Sequence, residues 1–147
     1  MPRENMRDLA IATVNLYYLH VPGGVTYSPG RPSIPDTEDG RAAYARRIDW
    51  IARLIERLDA DVICFQELWA RAALEDVFAE VSGVGTYDLV ARDAPGIGKP
   101  QVALAVRRDR HGQAMLLDGA DWIAEFPETF HIDHVREAHG AEEPISI

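Results

Sequence analysis

The sequence has one cysteine, Cys64, one lysine, Lys99, and two asparagines, Asn5 and Asn15. A single thiol excludes an intrachain disulfide and any zinc site built on cysteines. No apolar run reaches the roughly 20 residues that a bilayer helix needs, so no membrane span is expected. Met1 to Asp8 interleave Arg3 and Arg7 with Glu4 and Asp8, unlike a secretory signal peptide, and a cytoplasmic protein is the expectation. Bases are the minority, 15 against 24 acids, for a net charge of −9. Residues 111–147 carry eight acids and one base, so −7 of that charge lies there and −2 in the first 110 residues. This balance argues against the broad basic surface on which sequence-independent duplex binding depends. It leaves open an enzyme that grips a phosphodiester through a metal ion. The Gly/Pro loop Ala94–Pro100 lacks the pattern of a nucleotide phosphate loop, because Pro100 follows Lys99 and no glycine stands five residues before Gly98. Lys99 there is a solvated turn lysine or a phosphate contact.

What is present is ordinary for a globular chain: 147 residues, 47% hydrophobic and 27% charged, suited to one domain over 1–147. Asp8 to Leu19 is apolar, with β-branched and aromatic residues, and reads as a largely buried strand. Val21 to Gly40 is a long loop rich in proline and glycine. Arg41 to Leu58 predicts a helix, with Tyr44, Ile48, Ile51, Ile55 and Leu58 forming the apolar stripe and Trp50 and Leu54 beside it. Asp61 to Glu67 reads as a short buried strand closed by Gln66 and Glu67. A second helix follows over Arg71–Val81, then strands over Tyr87–Arg92 and Gln101–Arg107. Asp109 to Gly112 reads as a tight turn pairing the last strand with Gln113–Leu117, and Asp121–Phe126 adds another candidate strand. This order implies an α/β layered fold.

Two polar residues interrupt otherwise apolar strands. Asn15 lies inside the first, and Glu67 ends the second. The intervening helix makes a strand–helix–strand crossover, so the strands are expected to be parallel with their carboxyl ends on one edge, where open α/β sheets bind ligands. Asn15 and Glu67 then converge. An amide oxygen and a carboxylate are hard oxygen ligands suited to Mg²⁺. The plainer alternative is that Asn15 bonds a neighbouring backbone group while Glu67 pairs with an arginine.

The segments A-T-V-N-L at 12–16, D-W-I-A-R-L-I at 49–55 and A-D-V-I-C-F-Q-E-L at 60–68 resemble the opening motifs of the endonuclease/exonuclease/phosphatase superfamily. K-P-Q-V-A-L-A-V-R-R at 99–108 is similar to its following core strand. The resemblance spans Leu9 to about Arg108. It implies a layered α-β-β-α sandwich of the deoxyribonuclease-I-like type and metal-assisted attack of water on a phosphodiester or phosphomonoester. Glu67 would be the Mg²⁺ ligand, Asn15 would lie beside metal and phosphate, and Gln66 would support them. Some family nucleases carry an acid two residues after the asparagine; Tyr17 stands there. The family's Asp-x-Asn and Ser-Asp-His motifs are absent. The expectation is therefore an N-terminal half, one sheet with flanking helices, with little turnover. Its other sheet face, left open, would favour self-association. The competing expectation is a non-catalytic binding or assembly module that uses that face.

Other features read as structural. His131 and His134, with His139 beyond, are spaced for zinc but lack a glutamate at the position a zinc protease needs, and a solvated acidic surface is the preferred reading. His20 and His111 read as structural, Cys64 as a buried inert thiol. Trp50, Trp69 and Trp122 are too dispersed for a base-stacking platform.

Overall fold

The computed structural model describes residues 9–24, 34–92, 99–109, 111 and 113. Among them the order is β1 (Ile11–Leu19), α1 (Glu38–Leu58), β2 (Val62–Leu68), α2 (Arg71–Glu80), β3 (Tyr87–Val90) and β4 (Gln101–Arg107). The strands form one sheet in the order β1-β2-β4-β3. β1 and β2 are parallel, as the helical crossover requires, while β4 runs antiparallel to both β2 and β3. This is an α/β arrangement. The proposed strand over Asp121–Phe126, most of the hairpin partner Gln113–Leu117, and His131, His134, His139 and Trp122 lie outside the described residues.

α1 starts three residues before the expected Arg41. The Thr37 hydroxyl accepts from the Gly40 amide at 3.1 Å, satisfying a donor that the first turn leaves open. Glu38 and Asp39 occupy that turn, where the helix dipole favours acids. Gly40, which reads as loop in sequence, lies inside the helix, where a Cβ would sit 1.9 Å from the Pro35 carbonyl oxygen and only glycine fits. At the far end Asp59 takes a left-handed conformation and donates its amide to Ile55 O.

The buried stripe of α1 is Ile48, Ile51, Ala52 and Ile55. Trp50 is not beside it: the side chain is 64% exposed. Two positions past Ile48 is about 200° around the helix, the opposite side. Leu58, 38% exposed, also falls off the core as the helix ends. The stripe joins Leu16, Ile63, Phe65, Ala103 and Ala105 of the sheet and Ala73, Leu74 and Val77 of α2 in one apolar cluster. Fully burying a side chain such as Phe65 or Ile63 stabilises the fold by about 1.5–3 kcal/mol.

Among the described residues the helices cover one sheet face. Alternate residues point away: Ile11, Thr13 and Asn15 of β1 are exposed, as is Val102 of β4. Cys64 opposes Thr13 on this outer face and is half-buried, not fully buried as its apolar setting suggested. At one end of the sheet Arg107 ties the α1–β2 corner to β4. It donates to Asp59 Oδ1 at 2.6 Å, to Ala60 O at 3.0 Å and to the Tyr87 hydroxyl at 3.0 Å. The opposite end holds the carboxyl termini of β1 and β2.

Candidate functional site

The parallel pairing places Asn15 opposite Gln66, not Glu67. Strict alternation would then aim Glu67 at the helices. Two irregularities change this. Between Asn15–Gln66 and Leu19–Leu68 the register spans four residues of β1 against two of β2. Between Phe65–Ala103 and Leu68–Gln101 it spans three residues of β2 against two of β4. Such bulges re-aim side chains. Glu67 adopts φ +57°, and Tyr17 and Tyr18 adopt +44° and +59°. A left-handed backbone costs a residue with a Cβ about 1–2 kcal/mol. All three lie within this corner.

The result is a hydrogen-bonded corner. Asn15 Nδ2 donates to Glu67 Oε1 at 3.1 Å. Asn15 Oδ1 accepts from the Tyr17 amide at 2.7 Å. The two bonds define the amide's orientation together. A flipped amide would set NH₂ against an N–H and an oxygen against a carboxylate. Gln66 does not face Glu67. Its Nε2 donates to Thr13 Oγ1 at 2.7 Å, two residues before Asn15 on the same sheet face. Glu67 Oε2 is buried and has no hydrogen-bond partner among the described residues.

β1 is held to α1 by Arg47. Its Nη2 donates to Leu16 O at 2.6 Å and also to Tyr17 O. Desolvation lowers the Arg47 pKa. The Tyr18 ring lies 4.9 Å from Tyr17 and 6.3 Å from Trp69, centroid to centroid. Trp69 in turn donates its amide to Leu19 O at 2.9 Å. These contacts close the carboxyl ends of the two strands.

Three other groups mark this end of the sheet. His20 follows β1 directly; its Nδ1 accepts from the Val21 amide at 2.8 Å, and burial lowers its pKa. Gly24 packs so closely that a Cβ would meet the imidazole at 2.1 Å. Gln101, opposite Leu68, exchanges two hydrogen bonds with the Arg92 backbone, at 2.7 and 2.8 Å. Exposed Lys99 lies two residues before it.

No group of three or more His, Cys, Asp or Glu side chains placed to hold a metal ion occurs among the described residues. Mg²⁺ does not require one: it commonly takes one or two carboxylates and fills its octahedron with water and phosphate oxygens. Glu67 Oε2, without a hydrogen-bond partner among the described residues, fits that role. Asn15 Oδ1 retains a second lone pair after its bond to Tyr17. Both halves of the plainer alternative are also answered. Asn15 does bond a neighbouring backbone amide, and Glu67 pairs with no arginine among the described residues.

Neither family models, curated proteins nor solved structures give a match to this chain. The site therefore rests on its own geometry. The sequence reading identified Asn15, Glu67 and Gln66 but missed Thr13, Arg47 and the left-handed pair Tyr17–Tyr18. Thr13 was legible from its two-residue spacing to Asn15. Arg47 was not, since one arginine among several on a helix carries no mark of its partner.

Proposed function

We propose that this chain carries the metal-binding corner of a Mg²⁺-dependent phosphoesterase of the endonuclease/exonuclease/phosphatase type, with the deoxyribonuclease-I-like layered fold as its parent architecture. The observation that carries the reading is the Asn15–Glu67 contact at the carboxyl ends of two parallel strands, with the second carboxylate oxygen of Glu67 buried and without a hydrogen-bond partner among the described residues. Glu67 is the metal ligand. Asn15 orients Glu67 through Nδ2 and stands where a phosphate oxygen would approach. Gln66, bonded to Thr13, steadies β2 beside them. Bound Mg²⁺ supplies Lewis acidity toward the phosphate. The substrate is a phosphate ester, either nucleic acid or a small phosphorylated molecule.

The Asp-x-Asn and Ser-Asp-His motifs that would activate water are absent from the sequence, so the reading expects metal binding with little turnover. Titration of Mg²⁺ by calorimetry tests it. Millimolar or tighter binding in the native chain, lost in Glu67→Gln, supports the assignment. No binding in the native chain refutes it. Robust Mg²⁺-dependent hydrolysis of bis-p-nitrophenyl phosphate would show that the catalytic set is complete.

A second reading has its own observation. The outer sheet face presents Ile11 at 65% and Val102 at 55% exposure. An assembly module would pair with a second copy through these two side chains on the open face. Sedimentation of the native chain against Val102→Glu separates the readings: a dimer abolished by the substitution, without Mg²⁺ binding, favours assembly.

A further inference from the structure

Arg47 is a half-buried cation whose hydrogen bonds, among the described residues, go to two backbone carbonyls and to no carboxylate. Those carbonyls belong to Leu16 and Tyr17, the two residues directly after Asn15. They lie inside the stretch where β1 carries its extra residues, and where Tyr17 and Tyr18 hold a left-handed backbone. Two consecutive left-handed residues with side chains do not persist on their own; the surroundings must over-determine them. A guanidinium is suited to this, because its planar fork offers several fixed donors and one group can hold two oxygens.

The kink has a chemical consequence. It turns the Tyr17 amide back toward Asn15 Oδ1, at 2.7 Å. With the oxygen so engaged, Nδ2 is the end left to meet Glu67. We infer that Arg47 is a positioning residue of the Asn15–Glu67 corner: by tying the Leu16 and Tyr17 carbonyls to α1, it sets the backbone that decides which way the Asn15 amide faces. The consequence for metal affinity rests on the function proposed above; the consequence for Asn15 does not.

The sequence makes the test clean, since Asn15 shares its side-chain class only with Asn5. Proton–nitrogen spectra of the full chain resolve the Asn15 Nδ2 pair, assigned by its loss in Asn15→Ser. In Arg47→Ala the pair should move to the position of a free asparagine amide, while the methyl signals of Ile55 and Val77 hold. Mn²⁺ affinity, followed by electron paramagnetic resonance, should fall about ten- to a hundredfold, the range for losing an outer-shell partner of a metal site. Added guanidinium ion should restore both. Arg47→Lys keeps the charge but not the fork, and serves where Arg47→Ala does not fold; it should show the same displacement to a lesser degree. An unmoved Asn15 pair in either folded variant overturns the inference, as does an equal displacement in Arg53→Ala, whose arginine pairs with exposed Asp49. If the native chain binds no Mn²⁺, the phosphoesterase reading fails, and the Asn15 amide still decides the role of Arg47.

Discussion

Replacing Asn15 with aspartate changes one atom, Nδ2 to an oxygen, and sets it 3.1 Å from Glu67 Oε1. The bond to the Tyr17 amide survives, because Oδ1 is unchanged. Two effects add. The Asn15–Glu67 hydrogen bond is lost, at about 1 kcal/mol. Two like charges then face each other with centres about 4 Å apart, worth about 1 kcal/mol in bulk water and about 4 kcal/mol at an effective dielectric near 20. Asn15 is exposed and Glu67 half-buried, so the repulsion belongs between these limits, near 2 kcal/mol. Asn15→Asp should therefore lose about 2–3 kcal/mol at pH 7 in chelator. In a Glu67→Gln background the same substitution should cost under about 0.5 kcal/mol, giving a coupling near 2 kcal/mol in a double-mutant cycle. The penalty fades in acid, where protonation removes one of the two facing charges. Urea unfolding with and without Mg²⁺ reads all of this, and the cation should stabilise Asn15→Asp more than the native chain. Equal costs of Asn15→Asp in the two backgrounds would show that the side chains at 15 and 67 do not meet.

Gly40→Ala should destabilise the chain by about 1–2 kcal/mol in urea, although alanine is the better helix former by about 1 kcal/mol. The new methyl meets the Pro35 carbonyl oxygen at 1.9 Å, and backbone must move; a gain in stability would contradict this packing. His20 is held below its ordinary pKa by burial, so its folded state favours the neutral ring. Stability from that ring is whole above the unfolded value near pH 6.5 and declines as pH falls below it. Unfolding free energies between about pH 6.5 and 5 should accordingly fall less steeply in His20→Gln than in the native chain, and parallel curves would exclude the effect.

Much of the architecture is written in local pattern. The continuous apolar run of β2, the i, i+3, i+7 repeat through Ile48, Ile51 and Ile55, and the helix between two strands sufficed for an α/β sheet with β1 parallel to β2. Where periodicity misled, the cause was angular or local. Trp50 sits two positions past Ile48, and helix geometry sends it to solvent. The start of α1 was hidden because Gly40 is read as a breaker until Pro35 is seen pressing on it.

Asn15 and Glu67 stood out in sequence because polar residues in buried strands need a reason. Their meeting was decided elsewhere. Pairing alone sets Asn15 against Gln66, and a two-residue alternation would hide Glu67 on the helix side. Only bulges in β1 and β2, with left-handed backbone at Tyr17, Tyr18 and Glu67 and an arginine from α1 on the Leu16 and Tyr17 carbonyls, turn the carboxylate to the amide. Sequence alone determined which residues have the chemistry and which strand ends carry them, because both follow from side-chain type and period. The tertiary structure decided their contact, because a left-handed residue with a side chain persists only where distant groups hold it.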